Sequence, residues 1–196
     1  MSDANVIAVG RLTLLALIMV LLSGCATMTA EECRVADWYR LGEQDGRQGR
    51  SVDFLAQRSS DCREAGFAVD SDAWYAGYDL GLRAFCRPEN GFRQGREGRS
   101  YPSVCPQPLE AEFREAWELG RSLNAAELRL QASELRLSEL EQEWYGFKPE
   151  SREERERQAQ MRSEMRRLRL QINEQILDVD RLLALAAARG FPVGLK

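Results

Sequence analysis

Apolar positions in the second half of the chain recur at alternating spacings of four and three. The first run is Leu119, Leu123, Ala126, Leu130, Ser133, Leu137, Leu140, Trp144 and Phe147. The second is Met161, Met165, Leu168, Ile172, Gln175, Val179, Leu182 and Ala186. A 3.5-residue period keeps one seam turned toward a partner helix. Between the runs, Gly146-Phe147-Lys148-Pro149-Glu150-Ser151 breaks the period with turn residues, and Ser151 with Glu154 has the spacing of a capping box. A turn this short returns the chain antiparallel. The pattern therefore predicts an antiparallel two-helix coiled-coil hairpin over residues 109–190, turning near 146–151, with arms about 55–60 Å long at 1.5 Å per residue. Gly190 and Pro192 supply a stop, leaving 191–196 as a tail. Leu128, Leu135, Leu170, Ile176, Leu177 and Leu183 lie off the seam. Two helices cannot bury them all, so they are expected to meet the rest of the chain, a second copy or a partner protein. The mixed-sign start of the second arm, Arg152 to Arg157, reads as a solvated face with i,i+4 pairs.

Residues 31–108 show a different pattern. Gly42, Gly46 and Gly49 recur as Gly91, Gly95 and Gly98 inside a ten-residue repeat offset by 49, Gly42–Ser51 against Gly91–Ser100. Six of the ten positions match, including Arg47 and Arg50 against Arg96 and Arg99. Between the copies, Gly77 and Gly81 form another Gly-x₃-Gly. The spacing i, i+4, i+7 sets each glycine triplet on one helical face. Glycine inside a helix costs about 1 kcal/mol relative to alanine, so a row of them implies close helix approach, with Trp38, Trp74 and Tyr75 filling the space beside it. Helix termination by the last glycines is a second reading. A third is an anion cradle, in which Arg47, Arg50, Arg96 and Arg99 surround exposed backbone N–H groups and hold a phosphate or carboxylate of an envelope glycan or lipid head group.

The N-terminal pattern is a single apolar run, Leu12 to Leu22, ending in Leu22-Ser23-Gly24-Cys25. It is too short for a permanent span of ~30 Å of hydrocarbon and of the right length for a signal peptide. The four residues resemble the lipobox of bacterial lipoproteins, which implies cleavage after residue 24, acylation of Cys25 and a membrane tether through its lipid. Residues 25–30 are then the lipidated terminus and a short spacer. Ala26, rather than aspartate, follows the cysteine; by the same resemblance the address is the outer membrane, facing the periplasm.

That address changes the cysteine count. With Cys25 assigned to lipid, Cys33, Cys62, Cys86 and Cys105 remain, an even number in an oxidising compartment. Three pairings are possible. Cys33–Cys62 and Cys86–Cys105 are preferred because each closes a loop of moderate length, and each bridge contributes about 2–4 kcal/mol. The rival is a tetracysteine zinc site, which needs short C-x₂₋₄-C pairs; the spacings here are 29, 24 and 19, so no metal and no cofactor are expected.

Composition narrows the function classes further. The chain has no histidine, which removes Ser-His-Asp, Cys-His and histidine-based metal chemistry. Net charge is −4, and loss of Asp3 and Arg11 with the leader leaves it unchanged, giving no global attraction to nucleic acid. Asp45, Asp70, Asp72 and Asp79 could in principle pair for acid–base work, but nothing in the spacing fixes their separation.

The combined pattern Cys33-x₄-Trp38-x₃-Gly42-x₃-Gly46-x₂-Gly49, Cys62-x₃-Gly66, Tyr75-x-Gly77-x₃-Gly81-Leu82-x₃-Cys86 and Gly91-x₃-Gly95-x₂-Gly98-x₂-Tyr101-x₃-Cys105 resembles the bacterial lipoprotein family catalogued as domain of unknown function 2799. The resemblance covers residues 30–106. It implies a small cysteine-stapled periplasmic domain and no activity. The whole chain is thus expected to be all-α: a disulfide-stapled helical module followed by the hairpin. The expected role is a non-enzymatic, membrane-tethered scaffold or adaptor that contacts an envelope protein or itself. The alternative is a binding module that uses the arginine–glycine repeats.

Overall fold

The computed structural model describes residues 28–194. Residues 1–24, expected to be a signal peptide, and Cys25 lie outside the described residues. Seven helices follow in order: α1 (Ala30–Arg34), α2 (Trp38–Arg47), α3 (Asp53–Glu64), α4 (Ser71–Phe85), α5 (Pro88–Arg96), α6 (Leu109–Gly146) and α7 (Arg152–Ala188). No strand occurs among the described residues. The fold is all-α.

Local signals start most of these helices. Thr29 and Glu32 form a capping box on α1, and Ser151 and Glu154 form one on α7. Asp37 caps α2, Asp70 caps α4, and Pro88 occupies the first turn of α5. Each satisfies N-terminal N–H groups that the helix leaves unpaired, or, for proline, removes one.

Two helix pairs carry the module. In the first, α2 lies on α4 backbone to backbone: a Cβ placed on Gly42 would fall 2.0 Å from the Trp74 carbonyl oxygen, and one on Gly77 would fall 1.9 Å from that of Tyr39. In the second, α5 lies on the first turns of α6 in the same way, with Gly91, Gly95 and Gly120 at the contact. No side chain larger than hydrogen fits there, which is the physical reason for the glycine rows. Gly49 and Gly98 have φ of 65° and 69° and turn the chain out of α2 and α5 in the left-handed region that glycine adopts without strain. Both the packing and the termination readings of the glycines therefore hold, at different positions of the same triplet.

Trp38 and Trp74 are buried beside these contacts, whereas Tyr75, expected among them, is 47% exposed. Phe85 stacks on Phe113 with ring centroids 5.4 Å apart and joins the two pairs into one core. The disulfides Cys33–Cys62 and Cys86–Cys105 tie the entry to each pair to the segment that precedes its second helix. They consume the four cysteines among the described residues, so none of these offers a thiolate to a zinc site.

The module does not end at 108. Phe113, Trp117 and Gly120 are inside it, so α6 serves the module first and the hairpin afterwards. From Leu119 onward α6 packs antiparallel on α7 along the heptad-spaced seam. Leu119, Leu123, Ala126, Leu140, Met161, Met165, Val179 and Ala186 are buried there. Residue 191 is no tail either: Phe191 is buried and stacks on Phe92 at 4.7 Å. Arg189 pairs with Glu115 at 2.8 Å. These contacts fasten the end of α7 to the module, which decides how the hairpin is mounted.

Candidate functional site

The module is a doubled unit with two different offsets. Gly42, Gly46, Gly49 and Arg50 correspond to Gly91, Gly95, Gly98 and Arg99 at 49 residues, as the sequence shows. The partner helices correspond at 39: Trp74, Gly77, Tyr78 and Gly81 match Phe113, Ala116, Trp117 and Gly120. The equivalence extends to polar contacts. The Tyr78 hydroxyl donates to the Arg50 carbonyl at 2.5 Å, and the Trp117 indole N–H donates to the Arg99 carbonyl at 3.0 Å. The change of offset has a plain cause: α3 and its loops separate the helices of the first unit, while a shorter extended segment separates those of the second. The offset-39 match is legible in the sequence once Gly120 is treated as a glycine that needs a reason inside a helical run.

The duplication places the four candidate arginines differently from one another. Arg47 is exposed and pairs with Glu43 at 2.7 Å. Arg50 reaches Asp45 at 3.1 Å and lies 4.1 Å over the Phe54 ring. Arg96 is buried and pairs with Glu127 on α6. Arg99 is exposed and pairs with Glu97 at 2.8 Å. Each is met by its own carboxylate. The backbone between them is turned toward a neighbouring helix at the glycines, so the N–H groups needed for a cradle are not presented. Arg47 instead lines a shallow cleft with Arg87, Arg93, Glu89 and Asn90.

The acidic candidates are equally dispersed. Asp45 is fully buried and accepts four hydrogen bonds: two from Arg58, one from Arg50 and one from the Trp74 indole, all at 3.1 Å. That set matches the lone pairs of a carboxylate, and it makes Asp45 a structural node linking α2, α3 and α4. Asp70 is spent on the cap of α4, accepting from the Ala73 N–H at 2.9 Å. Asp72 and Asp79 are exposed. Arg58 and Trp74, the partners of Asp45, carry no motif that marks them as its ligands. Tyr78, beside this node, has its pKa pushed up to about 12, first by burial and then by the negative field of Asp45, Asp79 and Asp53. This is the mark of a packed phenol, and its hydroxyl is already committed to the Arg50 carbonyl.

At the entry to the module, Met28 is buried, its N–H donates to Asp61 at 3.1 Å, and its sulfur lies 3.9 Å from that of Cys62. The chain is held from its first described residue. Met28 also floors a cleft of about 260 Å³ lined by Val35, Leu41, Arg40 and Arg58. Among the described residues no helix is long and apolar enough to cross a membrane.

The hairpin offers the other candidate surface. Leu128, Leu135, Leu170 and Leu177 are 56%, 62%, 66% and 69% exposed. Leu183 is half-buried against the α6–α7 core. Ion pairs bridge the arms: Arg136 to Glu164 at 3.1 Å, Arg157 to Glu143 at 2.6 Å and Arg169 to Glu141 at 2.7 Å. The seam also holds one polar layer, where the Gln171 amide donates to the Ser133 hydroxyl at 3.1 Å and the Gln175 Oε1 is buried without a partner.

No curated protein and no solved structure matches this chain. One family model does, over residues 37–122, which begins at the cap of α2 and ends just beyond Gly120, the bounds of the doubled unit. Over that segment the chain matches the family described as Protein of unknown function (DUF2799).

Proposed function

We propose that this protein is a non-enzymatic lipoprotein of the cell envelope, tethered through Cys25 to the outer membrane on its periplasmic side, with the α6–α7 hairpin as its protein-contact arm. The observation that carries this reading is the set of exposed leucines, Leu128 and Leu135 on α6 and Leu170 and Leu177 on α7, on the outer faces of a hairpin bolted at both helix ends to a stapled module. An apolar surface held rigidly away from a core implies a surface that is covered in use. The scaffold reading gains from the state of the acidic residues: Asp45 is buried under four hydrogen bonds and Asp70 caps α4, so both have structural duties. The anion-binding alternative is less favoured because a ligand would have to displace Glu43, Asp45, Glu97 and Glu127 from the four arginines.

The pinned Met28 bears on the tether. Three peptide units separate it from Cys25, which at full extension span roughly 11 Å. A lipid on Cys25 would hold the module at the membrane surface, and the hairpin would supply the reach. Fractionation of cells expressing Cys25→Ala tests the tether: the variant is expected in the soluble envelope fraction, and its retention in the membrane rejects the lipid anchor. Proximity labelling from the hairpin tests the contact arm. Leu130→Asp, which sets a charge in the seam, is expected to abolish labelled partners, while Arg47→Ala with Arg96→Ala is expected to leave them. The reverse pattern favours the anion reading.

A further inference from the structure

The face of α6 turned away from α7 carries a second pattern. Glu118, Arg121, Ala125, Leu128, Ala132, Leu135, Glu139 and Gln142 recur at spacings of three and four, opposite the seam. All are exposed except Ala125, which is half-buried. The sequence of sizes and charges in this stripe reads in complementary order from its two ends. About a centre at residue 130, Ala125 stands against Leu135, Leu128 against Ala132, Arg121 against Glu139 and Glu118 against Gln142.

We infer that this face of α6 is a self-association surface that pairs antiparallel with the same face of a second copy, about a two-fold axis at residue 130. A two-fold contact is isologous, so each patch must be its own complement. This stripe meets that condition in shape, because every leucine faces an alanine of the other copy, and in charge, because Arg121 faces Glu139 twice. Parallel pairing would instead place leucine on leucine, Arg121 on Arg121 and Glu139 on Glu139. Sliding the antiparallel register by one heptad would set Leu135 on Glu118, or Leu128 on Glu139. One register satisfies both size and charge. The flank on one side, Asn124, Gln131 and Ser138, is neutral. On the other, Arg129 approaches its symmetry mate, and its charge is met by Asp178 of its own hairpin at 3.6 Å. Alanines at alternate layers let the helices approach closely, while the exposed leucines supply the area removed from water.

The inference deepens the contact-arm reading and is independent of the tether. Where both copies are lipid-tethered, an antiparallel pair carries a module at each end and lies along the membrane plane.

The test uses the purified full chain in mild detergent, with Leu128→Cys and Ala132→Cys versions carrying different tags, mixed and oxidised. The mixed disulfide dimer is expected to exceed either self-linked species at least fivefold, with the unsubstituted chain as the control for Cys25. Arg121→Glu is expected to lower the mixed yield at least threefold, and Arg121→Glu with Glu139→Arg to restore it. Equal self-linking and mixed linking, absence of any dimer, or failure of the double charge exchange to restore the yield each overturns the proposal. None of these readouts depends on lipid or on an envelope partner, so loss of the tether reading leaves them interpretable.

Discussion

The two halves of this molecule hold helices together by opposite means. In the module, backbone meets backbone at glycine rows, and the contacts at Gly42, Gly46, Gly77, Gly81, Gly91, Gly95 and Gly120 are at their steric limit. In the hairpin, side chains interlock along a seam, several seam positions are half-buried, and polar groups are tolerated in its middle. Backbone packing has no spare volume, because a glycine can only be exchanged for something larger. A side-chain seam can lose or gain a methylene and adjust. The module should therefore be brittle toward substitution and the hairpin forgiving, although both are all-helical and share α6.

The largest test of that contrast is a pair of changes on the shared helix pairings. Gly95→Leu is expected to cost more than about 4 kcal/mol in urea unfolding, because its Cβ would fall 2.1 Å from the Trp117 carbonyl oxygen. Leu137→Ala, in the half-buried part of the seam, is expected to cost about 2 kcal/mol. Equal costs would end the comparison. Next is the buried node: Arg58→Met takes two of the four hydrogen bonds from the Asp45 carboxylate, leaving Arg50 and Trp74, and is expected to cost about 3 kcal/mol, read from the same unfolding curves. Replacing Cys33 and Cys62 together by alanine is expected to remove about 2–4 kcal/mol from the module. Hydrogen exchange in the far half of the hairpin, residues 130–170, should stay unchanged.

Smaller effects sharpen the hairpin side. Gln175→Leu removes the unpartnered buried oxygen and is expected to stabilise the chain by about 1 kcal/mol, seen as a higher urea midpoint. The last expected effect is confined to high pH. The Tyr78 pKa is raised to about 12 in the folded chain and is near 10 when unfolded, so the folded state holds this proton more tightly. The stability it contributes is fully present below pH 10 and is lost as pH rises toward 12. Ultraviolet titration should show one of the five tyrosines ionising last, and Tyr78→Phe should remove that late step.

Much of the first unit and of the hairpin was legible from particular residues. Gly42, Gly46 and Gly49 announced a close helix contact, Ser151 and Glu154 announced the start of α7, and the 4-3 spacing from Leu119 to Leu140 announced the seam. The second unit was half-hidden because its partner helix is the beginning of the hairpin. Leu119 and Leu123 belong to the seam while Trp117 and Gly120, one turn away, belong to the module, and a single-period reading of α6 merges the two faces. Arg58 was invisible as a partner of Asp45 because a buried ion pair between separate helices leaves no spacing signal. The arginine repeat suggested a shared site by its matching letters, yet the copies differ in burial, since Arg47 faces solvent and Arg96 faces Glu127.

By itself the sequence determined helix content, the turn at 146–151, the glycine faces and an even set of four cysteines within residues 31–108. These are consequences of periodicity, backbone freedom and counting, which act over a few turns. Only the tertiary structure decided that α6 belongs to both halves, that Phe191 closes the core, that each arginine of the repeat has its own acid, and that the outer face of α6 is left open. Those outcomes depend on which helices meet across dozens of residues, and a local pattern cannot specify its partner.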